Sequence, residues 1–242
     1  YPAPDLAAHV IKEALKRANV PKEMVCDVIL GQCMQRCDEN PTGRVAALKA
    51  GLPITVPGVT IQRNCSSAMQ ALIYGAQQIQ LGEMDVVVTG GVEVLSRVPY
   101  TLDQARWGAR LQHGKMADGV WDGLTDSFTG LIMGLTAENL AAKYNISRQE
   151  QDEVALRSHG NAEAAIKNGI FKEEIVPVEI PQKKGAPKIF DTDEHPRYGL
   201  TMEQLAALKP TFKKDGTVTA GNASGINDGC AIIVLMSAQK AK

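Results

Sequence analysis

The first 95 residues alternate helical segments with short apolar strands, and this alternation restricts the chain to a small number of folds. Strands are predicted at residues 25–30, 59–61 and 86–89, where apolar and β-branched side chains predominate. An amphipathic helix precedes the first strand, and a second helix over residues 44–50 separates the first strand from the second. Such alternation is typical of an α/β fold, in which helices cover both faces of a largely parallel sheet.

Cys65 lies where the second predicted strand, interpreted as buried, turns into the next helix. After it, apolar residues recur at the three- and four-residue spacing of one helix face. The members of that face are Ala68, Met69, Leu72, Ile73, Ala76 and Ile79. The unpaired N–H groups at a helix start favour a thiolate, the nucleophilic form of cysteine, so the position suits covalent acyl chemistry. On this geometry alone, a small buried side chain without chemistry is the more ordinary interpretation of a lone cysteine.

Residues 96–219 break the alternation, because this stretch is more polar and richer in loops and charge. A capping-box pattern at residues 147–150 opens a long helix within it, and Thr201 with Gln204 caps a second, short helix. A strongly apolar strand follows at residues 231–236. The economical interpretation is an α/β domain formed by residues 1–95 and 220–242, into which residues 96–219 are inserted as a second domain.

Charge and composition argue against several classes of protein. The net charge of −1 offers no electrostatic case for binding nucleic acid or an anionic membrane. No apolar run reaches the length of a membrane span, and no signal peptide is expected. The five cysteines include no Cys-x-x-Cys pair, so neither a metal site nor a disulfide framework is expected. Reduced thiols and a cytoplasmic location are the expectation.

Two blocks of sequence resemble one enzyme family. The first comprises Asn64-Cys65-Ser66-Ser67-Ala68-Met69 and the run Asp-Val-Val-Val-Thr-Gly-Gly-Val-Glu at residues 85–93, and the second is the glycine-rich run at residues 216–229. Both are similar to the amino-terminal half of thiolases, the acetyl-CoA acetyltransferases and 3-ketoacyl-CoA thiolases, and the resemblance covers essentially the whole chain. It implies a thiolase-type α/β fold with a mixed sheet covered by helices. Residues 96–219 would be the loop domain that covers the coenzyme A channel.

The resemblance implies that Cys65 is the catalytic nucleophile. Thiolases take the acyl group of a 3-ketoacyl-CoA as a cysteine thioester and pass it to free CoA, or condense two acetyl-CoA to acetoacetyl-CoA in the reverse direction. Coenzyme A is therefore expected as a substrate, with no permanently bound cofactor and no metal. The backbone N–H of Cys65 is expected to help hold the oxyanion. Ser66 replaces the glycine of many relatives and is interpreted as a family variant.

Seven further positions match residues that line the CoA path in the family. Arg197 matches a basic side chain at the adenine-nucleotide end, where a guanidinium pairs with phosphate and stacks on a base. Ser224 matches a serine at the pantetheine arm. The other five match apolar or backbone contacts: Leu124, Met133, Phe212, Ala220 and Ile226. Without the resemblance, Arg197 is a solvated arginine, Ser224 a turn residue and the others ordinary core.

The four histidines receive no catalytic role. His195 precedes a proline, but the catalytic His-Pro of thiolases follows a glycine and belongs to the carboxyl-terminal half. His9, His113 and His159 fall on helix faces or loops without any pattern of partners. All three are interpreted as ordinary surface residues.

The resemblance also implies that these 242 residues are part of an enzyme. The Gly-His-Pro, Cys-x-Gly-Gly-Gly and Asn-Glu-Ala-Phe motifs of the family's carboxyl-terminal half do not occur in them. Relatives carry an opening strand before the first helix, which is expected at the centre of the sheet and is absent here. We interpret the chain as a fragment of a longer polypeptide, with a partner chain that supplies the rest as the alternative. The complete protein is expected to be a homodimer or homotetramer.

Two other functions compete with the thiolase interpretation. A β-ketoacyl synthase shares the fold and a cysteine nucleophile, although the long segment at residues 96–219 argues against it. A non-catalytic, thiolase-like lipid carrier or assembly subunit is the second, and the retention of Cys65 in its motif weighs against it.

Overall fold

The computed structural model describes all 242 residues and contains seven α-helices and eight β-strands. The helices are α1 Ala3–Arg17, α2 Thr42–Ala50, α3 Ser67–Gln80, α4 Gly119–Gly123, α5 Met133–Tyr144, α6 Arg148–Lys167 and α7 Met202–Ala206. The strands are β1 Asp27–Gly31, β2 Gly58–Ile61, β3 Val86–Val94, β4 Tyr100–Thr101, β5 Ala117–Asp118, β6 Val178–Ile180, β7 Lys188–Phe190 and β8 Asp228–Met236. None of the helices combines the length and apolar character that crossing a bilayer requires.

The chain forms two compact units. Unit 1 comprises Tyr1–Gly123 and Ile226–Lys242, and unit 2 comprises Leu124–Gly225. Residues 96–123, which the sequence interpretation assigned to the inserted domain, group with unit 1. There the backbone N–H of Ser96 donates to the Asp228 carboxylate at 3.0 Å, which ties the start of this segment to β8. The functional division into domains stays a prediction.

Unit 1 is built on a four-stranded mixed sheet in the order β2-β1-β3-β8. Strand β1 pairs in parallel with both β2 and β3, whereas β8 runs antiparallel to β3. All five residues of β1 are buried, as a strand covered on both faces requires. The predicted α/β class with a mixed sheet is therefore confirmed.

Helices cover the two faces of this sheet. Alternate residues of β1 point to opposite faces, because successive side chains of a strand do so. Val28 and Leu30 join the larger core cluster, to which α1 and α2 contribute. Ile29 joins a smaller cluster with Ala71 of α3 and Val87 of β3. Helix α3 thus lies on the face opposite α1 and α2.

Two features of the sheet differ from the sequence expectation. Strand β2 is an edge strand and is only half-buried, with Val59 41% exposed, because it has one neighbour where β1 has two. From the sequence, the opening strand of relatives was expected at the centre of the sheet, and this expectation is also wrong. Strands β1 and β3 pair directly from Asp27 with Val87 to Gly31 with Gly91, so the sheet has no gap between them.

Helix α3 buries mainly residues outside the apolar stripe that the sequence shows. Of that stripe, Met69 and Ile73 are 66% and 39% exposed, whereas Ile79 packs against the smaller core cluster. The buried residues are Ser67, Gln70, Ala71 and Gly75. These residues are small or polar, and they let the helix lie close to the strands: a Cβ at Gly75 would meet the Thr89 side chain at 2.6 Å. Hydrophobic periodicity selects large apolar residues and therefore missed this face.

Unit 2 consists mainly of helices α5, α6 and α7, with a two-stranded hairpin of β6 and β7. Both predicted capping boxes are present. Ser147 caps α6 together with Glu150, and Thr201 caps α7 together with Gln204. Helix α5 was not predicted from the sequence.

Candidate functional site

Cys65 lies in a tight turn between β2 and α3, and its side chain is exposed. Asn64 before it adopts the left-handed conformation with φ of 49°, which asparagine tolerates better than most residues. The Ser67 hydroxyl accepts the N–H of Arg63 at 2.8 Å and donates to the Asn64 carbonyl at 2.6 Å. These bonds hold Cys65 immediately before the helix, at the place that the sequence predicted. Its catalytic role stays a prediction.

The beginning of α3 lies directly against two strands. A side chain at Gly31 of β1 would collide with the backbone of Ser67 and Ala68. At Gly91 of β3, a Cβ would lie 2.6 Å from the Cβ of Ala68, closer than real Cβ atoms approach. Glycine at both positions permits this close approach. The turn that carries Cys65 is therefore placed by steric contact with the sheet.

Cys33 and Glu93 lie beside this turn. The Glu93 carboxylate accepts the backbone N–H groups of Cys33 and Met34 at 2.7 and 3.1 Å. The Cys33 sulfur lies 3.9 Å from the Ser67 hydroxyl. Burial, with a further contribution from Glu93, raises the pKa of the Cys33 thiol. Cys33 is therefore a poor nucleophile at neutral pH.

The five cysteines are all free, and they differ in accessibility. Cys65 and Cys37 are exposed, whereas the others are partly buried. Burial raises the pKa of Cys230 to about 12, so its thiolate is scarce at neutral pH. Of the two exposed thiols, Cys65 is the one next to the N-cap residue of an α-helix, Ser66 of α3. No group of three or more histidine, cysteine or acidic side chains is arranged to hold a metal ion.

Three of the predicted CoA-contacting residues meet at the start of α5 in unit 2. The backbone N–H of Met133 donates to the Leu124 carbonyl at 2.9 Å. The ring of Phe212 packs against Gly134 so closely that a side chain at Gly134 would overlap it. Leu124, Met133 and Phe212 therefore share one neighbourhood, although Phe212 lies far from the other two in the sequence.

A segment at residues 217–222, here called the strap, carries Ala220. The Glu138 carboxylate of α5 accepts the strap's N–H groups of Thr217 at 2.8 Å and Val218 at 2.7 Å. Glu138 is only 5% exposed. Burial acts to raise the pKa of Glu138, but the hydrogen bonds from Val218 and Thr217 outweigh it and hold the pKa below its ordinary value. A charged, buried carboxylate therefore anchors one end of the strap.

Asp152 of α6 anchors the other end of the strap. Its carboxylate is 1% exposed, pairs with the Arg148 guanidinium at 2.7 Å and accepts the Asn222 amide at 2.9 Å. The Asn222 side-chain oxygen in turn accepts the N–H of Thr219 at 2.7 Å. The strap leads directly to Ser224, so two buried carboxylates support the chain on which this candidate lies.

Arg197 lies on a loop that is docked on α6. Its backbone N–H donates to His159 Nδ1 at 3.2 Å, and the His159 ring stacks on the His195 ring with centroids 5.8 Å apart. Two residues later, the N–H of Gly199 donates to the Glu163 carboxylate at 3.0 Å. His159 is half-buried and has partners in this loop, which the interpretation of it as an ordinary surface residue did not foresee. Its partners lie more than 30 positions away in the sequence, and no local sequence pattern indicates them.

None of the seven predicted CoA-contacting residues is fully buried. Met133 is 44% exposed and Ile226 is 63% exposed. Ile226 belongs to unit 1, and the other six belong to unit 2. The exposure argues against the alternative that the apolar members are plain core. Arg197 forms no ion pair with Asp193 or Glu194, since Glu194 pairs with Lys188 and Asp193 accepts the N–H of His195.

Sequence reasoning missed the acids that hold these loops, namely Glu93, Glu138, Asp152 and Glu163. Only Glu138 could have been found from the sequence, because it is an acidic residue among the apolar and small residues of α5. Since α5 itself was not predicted, Glu138 was not recognised.

Comparison with known proteins places these features in a family. The sequence model described as thiolase, N-terminal domain, matches residues 1–239. Proteins named acetyl-CoA acetyltransferase from Pseudomonas aeruginosa and Cupriavidus necator are each 50% identical to the chain over 242 residues. A probable acetyl-CoA acyltransferase from Staphylococcus aureus is 46% identical. The crystal structure of the Bacillus anthracis acetyl-CoA acetyltransferase is 56% identical, with a TM-score of 0.96.

These similarities extend over the whole of the present chain but over part of each relative. They cover 100% of the chain for the three proteins compared by sequence and 99% for the crystal structure. The chain spans 62% of the length of those three relatives and 60% of the chain in the crystal structure. Both compact units lie within the matched portion.

Proposed function

The chain belongs to the thiolase family, and on that premise we propose that the complete protein is a CoA-dependent acyltransferase with Cys65 as its nucleophile. The observation that carries the proposal is the exposed Cys65 thiol next to Ser66, the N-cap residue of α3. The N–H groups and the positive dipole end of a helix start stabilise a thiolate. None of the other four cysteines is both exposed and next to the start of an α-helix.

In the proposed reaction, the Cys65 thiolate attacks the keto carbon of a 3-ketoacyl-CoA. The bond between C2 and C3 breaks, its electron pair passes to C2, and protonation of C2 releases acetyl-CoA. The shortened acyl group stays on Cys65 as a thioester. The thiol of free CoA then gives up its proton and attacks this thioester, which releases the new acyl-CoA and restores the Cys65 thiolate. Dividing the transfer into two steps replaces one difficult step with two easier ones.

The reverse direction condenses two acetyl-CoA to acetoacetyl-CoA through the same thioester. The base that deprotonates Cys65 and the acid that protonates C2 belong, in the resemblance, to the Gly-His-Pro and Cys-x-Gly-Gly-Gly motifs. The 242 residues contain neither motif. We therefore assign to this chain the nucleophile and the CoA contacts, and we expect residues 1–242 by themselves to catalyse no thiolysis.

Six of the seven CoA contacts are assigned to residues of unit 2, and Ile226 of unit 1 is the seventh. Met133, Leu124 and Phe212 form an apolar group at the start of α5, which suits the pantetheine arm. Ser224 follows the strap and offers a hydroxyl to the same arm. The exposed Arg197 guanidinium suits the phosphates of the nucleotide end, since it has no competing ion pair. CoA acts as substrate in this proposal, and the complete protein acts as a homodimer or homotetramer in the cytoplasm.

The test measures acyl transfer and thiol labelling on the complete protein. Acetoacetyl-CoA and CoA should yield acetyl-CoA. Limited iodoacetamide followed by peptide mapping should modify Cys65 first, and prior incubation with acyl-CoA should protect it. Cys37 is the matched control, because it is also exposed but precedes no α-helix directly. Binding of acyl-CoA without turnover, or labelling of Cys37 with Cys65 untouched, would contradict the proposal.

A further inference from the structure

Two backbone hydrogen bonds fix the loop of Arg197 to helix α6. The N–H of Arg197 donates to His159 Nδ1 at 3.2 Å, and the N–H of Gly199 donates to Glu163 at 3.0 Å. His159 and Glu163 are four residues apart on α6, so they lie on the same helix face. The Arg197 side chain is exposed while its backbone is held. These two contacts therefore fix the backbone from which the guanidinium extends.

The bond to His159 requires a neutral imidazole. A ring nitrogen accepts a hydrogen bond only when it carries no proton, so protonation at Nδ1 removes the acceptor. Burial, followed by the nearby His195 and Arg197, lowers the pKa of His159. Those two are the charged or titratable groups of the docked loop that act on it. On its own helix, the next turn carries Glu163, which pairs with Lys167.

Two other elements next to α6 carry charged residues. Helix α7 carries Glu203 and meets α6 near Arg148, whose guanidinium donates to the Leu205 carbonyl at 2.6 Å. The short helical turn Ile170–Glu173, which carries Lys172 and Glu173, follows the end of α6. The causes that lower the pKa of His159 are its burial and the two groups of the docked loop.

We propose that His159 is a positioning residue for CoA binding: its neutral ring holds the backbone of Arg197 so that the guanidinium meets the nucleotide end of CoA, and protonation of the ring releases it. This inference rests on the proposed function, because the CoA contact of Arg197 does. The ordinary pKa of histidine is about 6.5. Because the pKa of His159 lies below that value, affinity for CoA is retained at neutral pH and falls as the pH drops further below about 6.5.

The experiment compares two variants of the complete protein with two substrate pairs. One pair is acetoacetyl-CoA with CoA, and the other is acetoacetyl-pantetheine with pantetheine, which lacks the nucleotide. His159→Leu removes the acceptor, and it should raise KM for CoA about threefold to tenfold, the scale of one hydrogen bond, with kcat retained. KM for pantetheine should not change. His159→Asn keeps an acceptor oxygen near the position of Nδ1 that does not titrate, so it should restore KM and flatten its rise at acidic pH.

Glu163→Gln and Arg197→Ala are the controls. Glu163→Gln keeps an acceptor for Gly199 and should leave the pH dependence in place, and in an Arg197→Ala background His159→Leu should have no further effect on KM. Equal KM values for the unsubstituted protein and His159→Leu would overturn the role of His159, as would an equal loss with both substrate pairs. If His159→Leu does not fold, the acid profile of His159→Asn decides alone. Absence of acyl transfer in the unsubstituted protein would instead overturn the proposed function.

Discussion

The two compact units hold their candidate residues by different physical means. In unit 1, Gly31 and Gly91 let the start of α3 lie against the sheet, and this contact places Cys65. In unit 2, carboxylates hold the loops: Glu138 and Asp152 anchor the strap. The first arrangement depends on the absence of side chains, and the second depends on the presence of charge.

This difference predicts how each unit responds to change. Close packing of backbone on backbone is insensitive to pH but tolerates no added atom. A buried carboxylate that accepts N–H bonds is strong while it is charged, and its contribution falls when it is protonated or removed. Substitutions and acid should therefore affect the two units in different ways.

The largest effect should separate catalysis in unit 1 from CoA binding in unit 2. Cys65→Ser in the complete protein should reduce turnover by several orders of magnitude, because a serine hydroxyl is a far weaker nucleophile without a strong base. CoA affinity, measured by calorimetry, should stay within about twofold, since the substitution leaves the loops of unit 2 untouched. Cys37→Ser is the matched control and should retain turnover. Substantial activity in Cys65→Ser would show that Cys65 is not the nucleophile.

The next effect should come from a buried charge of unit 2. Asp152→Ala leaves the Arg148 guanidinium and the Asn222 amide without this partner, and it should lower the free energy of unfolding by about 3–5 kcal/mol. Glu153→Ala, at an exposed position on the same helix, should change it by less than about 0.5 kcal/mol. Urea unfolding of the complete protein measures both. Equal stability of the two variants would mean that the strap does not depend on the Asp152 carboxylate.

A steric substitution in unit 1 should have a somewhat smaller effect. Gly31→Ala places a methyl group against the backbone of Ser67 and Ala68, and it should cost about 1–3 kcal/mol through overpacking. It should also change the rate at which Cys65 is alkylated, because the turn before α3 must shift. Gly160→Ala is the control, since its Cβ would meet open space on α6, and it should stabilise by about 0.5–1 kcal/mol. A harmless Gly31→Ala would show that α3 is not placed by this contact.

The smallest effect concerns the pH dependence of unit 2. The pKa of Glu138 in the folded protein lies below its ordinary value of 4.5, so the charged form stabilises the fold above that value. This stabilisation is lost as the pH falls through the folded pKa. Thermal unfolding between pH 6 and pH 3 should therefore show a steeper loss for the unsubstituted protein than for Glu138→Gln. Parallel curves would show that the charge of Glu138 does not stabilise the fold. The destabilisation caused by Gly31→Ala, in contrast, should not vary with pH.

Local patterns predicted much of the fold because they depend on near neighbours. The spacing of apolar residues identified α1 and α2, and the capping boxes identified the starts of α6 and α7. Helix α5 was missed, and with it Glu138. The apolar stripe of α3 did not identify its fully buried residues, because the structure buries small and polar ones. The distance between helix and sheet decided that choice, and periodicity carries no information about distance.

The sequence by itself determined the family, the place of Cys65 before a helix and the candidates for CoA contact, since all of these rest on motifs of consecutive residues. Only the tertiary structure decided the strand order, the edge position of β2 and the partners of the buried acids. It also paired His159 with Arg197, 38 positions apart, and Glu138 with Thr217, 79 positions apart. The physical reason is that hydrogen bonds act over about 3 Å. Which distant groups come that close is settled by the packing of the whole fold.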